Sequence, residues 1–111
     1  MQIINHEELA KDLKKLKRYP SAEQSLDAWK RLFEAKGLRE TPGVVSYPGF
    51  GGAKVFKARV IPLKENVGKS DGYRVIFQLC TDGAYRVLVF SRHGTCHDER
   101  ELMTLIKQRL A

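Results

Sequence analysis

The 111 residues, 42% apolar and 30% charged, have the balance of a globular protein and suffice for one domain over 1–111, with a real core but no room for two. No apolar run reaches the roughly 18 residues of a membrane span and no apolar leader opens the chain, so a cytoplasmic protein is expected, with no membrane contact and with Cys80 and Cys96 as reduced thiols. The net charge of +7 sits mainly in the second half: residues 54–93 hold eight Lys/Arg against three Asp/Glu, whereas 1–53 hold nine against seven and 94–111 three against three. Positive charge gathered on folded segments rather than on a tail points to a polyanionic partner, nucleic acid or an acidic protein.

Gln2-Ile3-Ile4 has the composition of a short edge strand. Asn5, with Glu8 three residues on, has the form of a capping box, and Leu9, Leu13 and Leu16 then recur at helical spacing between lysines. Tyr19-Pro20 ends that helix. Ser21 and Gln24 offer a second cap, Ala22, Leu26, Trp29 and Phe33 make the apolar stripe of a longer helix, and Gly37 stops it. Glycines and prolines then make 38–53 a loop. Its Gly49-Phe50-Gly51-Gly52-Ala53-Lys54 run has neither the spacing of a phosphate-binding loop nor a helix after it, and is read as a flexible approach to the next strand.

From Lys54 onward the period changes to two. In 55–61 the positions Phe56, Ala58 and Val60 form one face and Lys57 and Arg59 the other. A polar connection leads to 73–81, a β-rich run with Arg74 near its start, which suits a central strand. Asp82-Gly83 signals a tight hairpin into 84–91, where Arg86 and Arg92 share one phase. Arg92-His93-Gly94-Thr95-Cys96-His97 follows, and Asp98 with Glu101 caps a last helix carrying Leu102, Ile106 and Leu110 on one face. His93, Cys96 and His97 lack the second ligand pair of a zinc site, so neither metal nor cofactor is expected. Tyr73, Tyr85 and Cys80 read as core residues. The expected fold class is α+β: a helical hairpin, a small antiparallel sheet and a C-terminal helix, with one sheet face left free beneath Lys57 and Arg59.

This order, together with Lys57-Ala58-Arg59, Gly72-Tyr73-Arg74-Val75-Ile76 and the Asp-Gly hairpin leading to Val89-Phe90-Ser91-Arg92, resembles the RelE/ParE superfamily of bacterial and archaeal toxins. The run Gly68-Lys69-Ser70-Asp71-Gly72-Tyr73-Arg74 is similar to the Gly-Lys-Ser-Gly-Gly-Tyr-Arg of HigB-like members, and 92–97 resembles the Arg-x-Gly-Thr-His ending of YafQ-like members with one residue inserted. The resemblance implies a type II toxin, a metal-independent and ribosome-dependent mRNA endoribonuclease silenced by an acidic antitoxin in a hetero-oligomer. It implies Lys57, Arg74, Arg92 and His97 as catalytic residues. Arg59, Arg86 and His93 would hold RNA phosphates, and His93 is the alternative to His97 because of the inserted residue. The tyrosine that RelE-like members carry near the closing helix has no counterpart after Tyr85.

Such cleavage needs a base for the ribose 2′-hydroxyl, an acid for the leaving 5′-oxygen and cations around the crowded phosphorus. Arginine, charged at every working pH and able to grip two oxygens at once, suits the last task. Histidine suits proton transfer, and Lys57 can share it where neighbouring cations disfavour the charged ammonium. Base and acid are then divided between a histidine and Lys57 in an order the sequence leaves open. The alternative is a non-enzymatic module of the same fold, a ParE-like gyrase inhibitor or an inactive nucleic-acid- or antitoxin-binding protein, for which an imidazole among arginines has no use.

Overall fold

Alternating β-branched and aromatic residues in the second half of the chain build a sheet, and the helical stripes on either side of it in sequence supply its cover. The computed structural model describes residues 2–66, 72–92 and 98–110. In order these form β1 (Ile3–Asn5), α1 (Leu9–Lys15), α2 (Ala22–Glu40), β2 (Val45–Ser46), β3 (Lys54–Val60), β4 (Tyr73–Leu79), β5 (Tyr85–Arg92) and α3 (Glu99–Arg109). Among the described residues the class is α+β, three helices on one five-stranded sheet in the order β1-β5-β4-β3-β2. The sheet is mixed rather than purely antiparallel, because β1 lies parallel to β5 with Ile3 opposite Tyr85. No helix of the described residues is long and apolar enough to cross a membrane.

Strand alternation sends two sets of apolar residues to opposite faces. On one face Leu9 of α1, Leu16 just after it, and Leu26, Trp29 and Phe33 of α2 pack on Ala58, Val60, Tyr73, Val75, Phe77, Val87 and Phe90. Phe33 is the hinge of this layer, its ring 5.0 Å from Phe77, 4.9 Å from Tyr85 and 5.2 Å from Trp29. On the other face Leu102 and Ile106 of α3, with Tyr47 and Phe50, cover Val55, Ile76, Leu88 and Val89. The second face is therefore not free over its whole area, as the sequence suggested; α3 takes one part and leaves the end near Arg59 and Arg74 open. Gly49 lets the connection lie flat on α3: its φ is +107°, and an added Cβ would stand 3.1 Å from the Met103 methyl.

Caps and turns follow the expected places with altered chemistry. Asp82 accepts from the Ala84 amide and Gly83 takes φ +88°, closing the hairpin. Asp98 accepts from the Glu101 amide at 2.8 Å, capping α3. At α1, however, the expected capping box is replaced by His6, whose Nδ1 accepts from the Glu8 amide at 3.0 Å, and Ser21 at the start of α2 donates to the Leu63 carbonyl instead of capping. Gly37, at φ 82° and ψ 177°, breaks the helical backbone where a stop was read, although helical turns resume as far as Glu40. Tyr73 and Tyr85 are buried as expected, whereas Cys80 is only half-buried beside the hairpin.

One feature of β5 rearranges everything beyond it. Ile76 pairs with Val89 but Phe77 pairs with Val87, so Leu88 is an extra residue, a β-bulge. β1 covers β5 only from Tyr85 to Val87, which leaves the Leu88 carbonyl and the Phe90 amide without a strand neighbour on that edge. A buried ion pair takes them. Asp12 of α1 accepts from the Phe90 amide at 3.0 Å and from both terminal nitrogens of Arg109 at 2.8 and 3.0 Å, while Arg109 donates to the Leu88 carbonyl at 2.8 Å.

Candidate functional site

The open end of the second face is a pocket of about 370 Å³ lined by Gly43, Val45, Lys57, Ala58, Arg59 and Arg74. Register assembles it. Arg59 lies directly opposite Arg74 across β3 and β4, and Lys57 is two residues along β3 opposite Ile76, so three cations share one face of two adjacent strands. Like charges set side by side repel, and such a pairing favours an anion between them. Among the predicted residues, Lys57, Arg59 and Arg74 are brought together as expected.

Two residues not singled out for a site adjoin two of its cations. Tyr47, from the glycine- and proline-rich connection before β3, lies beneath Lys57, whose ammonium is 4.9 Å from the ring centroid. Its hydroxyl donates to Glu99 at the first turn of α3, and the other Glu99 oxygen is 3.8 Å from Arg74. An exposed pair at that spacing contributes at most about 1 kcal/mol, so Glu99 does not lock Arg74. Burial, reinforced by the carboxylate it donates to, pushes the Tyr47 hydroxyl up to about 12, which keeps it protonated and donating across the physiological range. An aromatic with a hydroxyl inside a glycine/proline loop was the available signal for Tyr47; for Glu99 it was an acid at a helix N-terminus, which the capping role of Asp98 obscured.

Arg86 and Arg92 do not join the pocket, and the bulge is the reason. An extra residue inverts the facing of everything after it, so the shared phase read for Arg86 and Arg92 is lost. Arg86 stays on the pocket's face but donates to Gln78 at 3.3 Å, four residues and so about 13 Å along β4 from Arg74. Arg92 turns to the opposite face. It sits 4.1 Å from the centroid of Tyr19 and 5.0 Å from that of Tyr73, and grips both oxygens of Glu65 at 2.7 and 2.8 Å. At 8% exposure it is a packed structural arginine. His93 and His97 lie outside the described residues. A larger hollow of about 580 Å³ at the hairpin end, lined by Gly52, Gln78, Leu79 and Cys80, has Lys54 as its one lining cation among the described residues.

Two of these groups make stability depend on acid. Burial, with Arg86 and Arg109 nearby, lowers the His6 pKa, so the folded chain prefers the neutral imidazole that accepts from Glu8. The hydrogen bonds from Arg92 hold the Glu65 carboxyl below the ordinary carboxylate value. Both folded values lie below the unfolded ones, so each contribution is present above the unfolded value and lost as pH falls through the folded one. The thermal midpoint is expected to fall in two steps, the first below about pH 6.5 and the second below about pH 4.3. His6→Asn, which keeps an acceptor without a titrating ring, flattens the first step, and Glu65→Gln the second; a midpoint independent of pH from 7 to 5 in the parent (roughly the imidazole range) contradicts the role given to His6.

Fold and site together define a small α+β domain whose mixed sheet carries a three-cation pocket, bordered by a tyrosine–carboxylate pair, on one face. Comparison of the chain with protein-family models, with curated proteins and with solved structures found no match.

Proposed function

We propose that the protein is a RelE-like toxin of a type II toxin–antitoxin pair, a metal-independent endoribonuclease acting on mRNA at the ribosome. The observation that carries this reading is the convergence of Lys57, Arg59 and Arg74 on one open pocket. A phosphodiester entering there meets two guanidinium groups for its non-bridging oxygens and an ammonium beside them, the arrangement that stabilises charge building up at phosphorus. The ribose 2′-oxygen attacks the adjacent phosphorus and the 5′-oxygen leaves, so the products end in 2′,3′-cyclic phosphate and 5′-hydroxyl. The acidic antitoxin of such a pair would cover the basic face. Arg92, tied to Glu65, is left out of the chemistry.

Expression without the partner is expected to arrest growth. Purified protein added to ribosomes programmed with a labelled mRNA is expected to give fragments with cyclic-phosphate ends, at a rate EDTA does not change. Intact mRNA with halted DNA synthesis would instead support the gyrase-directed alternative.

A further inference from the structure

We infer that Glu99 is the proton acceptor for the ribose 2′-hydroxyl and that Tyr47 is the residue that positions it; this rests on the RNA-cleaving reading above. The pocket supplies cations but needs a group that can take a proton, and Glu99 is the carboxylate that reaches it among the described residues. The two oxygens of Glu99 have different surroundings. Oε1 accepts the Tyr47 hydroxyl, which anchors the side chain. Oε2 stands 3.8 Å from the Arg74 guanidinium, beyond hydrogen-bond reach, so among the described residues its lone pairs stay open beside the arginine that would hold the phosphate. The side chain is 63% exposed, so substrate can approach it.

Tyr47 links this carboxylate to the cations, with Lys57 over its ring and Glu99 at its hydroxyl. Because the hydroxyl keeps its proton, Glu99 remains the acceptor of the pair. Among the described residues the groups facing Glu99 are Tyr47 from the connection before β3 and Arg74 from β4. In the step itself the Glu99 carboxylate takes the 2′-hydroxyl proton, the 2′-oxygen forms its bond to phosphorus, the bond from phosphorus to the 5′-oxygen breaks, and the Lys57 ammonium gives that oxygen a proton. Exchange with water afterwards returns a proton to Lys57 and removes the one on Glu99. No oxidant, metal or further reactant is needed.

The test is the pH–rate profile for cleavage of a labelled mRNA on programmed ribosomes by the parent, Glu99→Gln and Tyr47→Phe. The parent rate is expected to fall toward acid, as it does when a reaction depends on a general base. Glu99→Gln is expected to lower kcat at least about 100-fold and to erase that acid limb. Tyr47→Phe keeps the ring under Lys57 and removes only the anchor, so it lowers kcat about 10-fold, leaves KM little changed and keeps an acid limb. Because Glu99 is largely exposed, Glu99→Gln should unfold at the parent's temperature, which separates lost chemistry from lost fold. A Glu99→Gln enzyme with the parent's rate and profile overturns the assignment, and a faster one shows that the carboxylate merely obstructs Arg74. A parent that cleaves no RNA overturns the underlying reading as well, a result distinct from both.

Discussion

Asp12→Ala is expected to cost about 3–5 kcal/mol of folding stability, the amount lost when one partner of a buried ion pair is removed and the other stays uncompensated. The side chains of Asp12 and Arg109 are 5% and 8% exposed, and the carboxylate does three things at once. It neutralises Arg109, receives the Phe90 amide and, through Arg109, helps satisfy the Leu88 carbonyl. Removing it leaves a buried cation and a buried amide short of a partner, each costly by itself. With total stability in the range of about 5–15 kcal/mol, the variant would be partly unfolded or close to it. Urea unfolding at constant slope is the measurement. Replacing both residues by apolar ones of similar volume should cost far less than either single change, since the expense of desolvating two charges disappears with them. Equal stability of Asp12→Ala and the parent would show that the pair does not hold the bulge.

Arg74→Ala is expected to lower RNA cleavage by about 10²–10³-fold and to relieve growth arrest, the usual effect of removing one group that stabilises transition-state charge. Arg74 is 30% exposed at the rim of the pocket and, among the described residues, pairs with the distant Glu99 oxygen alone, so truncation should leave the fold intact. Arg92→Ala provides the contrast. Its guanidinium stacks on two tyrosines and pairs with Glu65 on the other face, so that change should lower the unfolding midpoint while the folded fraction keeps its rate of cleavage. Were Arg92→Ala fully stable and inactive, and Arg74→Ala active, the division between the two arginines made by the bulge would be refuted.

That division marks the boundary between what could be read along the chain and what could not. Helical stripes, the Asp-Gly hairpin, the Asp98 cap and the shared face of Lys57 and Arg59 were legible because each depends on local periodicity or turn chemistry. The partners of Ser21 were less so, because a neighbour distant in sequence, the Leu63 carbonyl, competes for its hydroxyl. The same holds for Asp12 and Arg109, although both are charges lying among the apolar positions of their helices, near Leu9 and Ile106, and such a misplaced charge is a usable sign of a buried partner.

Sequence by itself determined the types of the longer elements and the shared face of Lys57 and Arg59, since strand alternation and the +5 balance of residues 54–93 are properties of neighbours along the chain, whereas β2 and the pairing of Arg59 with Arg74 came from the sheet. Tertiary structure alone decided that Leu88 bulges, that Arg92 thereby turns away, and that Tyr47 and Glu99, 52 positions apart, meet at the pocket. The physical reason is that one unpaired residue inverts the facing of all that follow it. Whether a strand accommodates such a residue depends on whether distant side chains, here Asp12 and Arg109, can satisfy the backbone groups it leaves over.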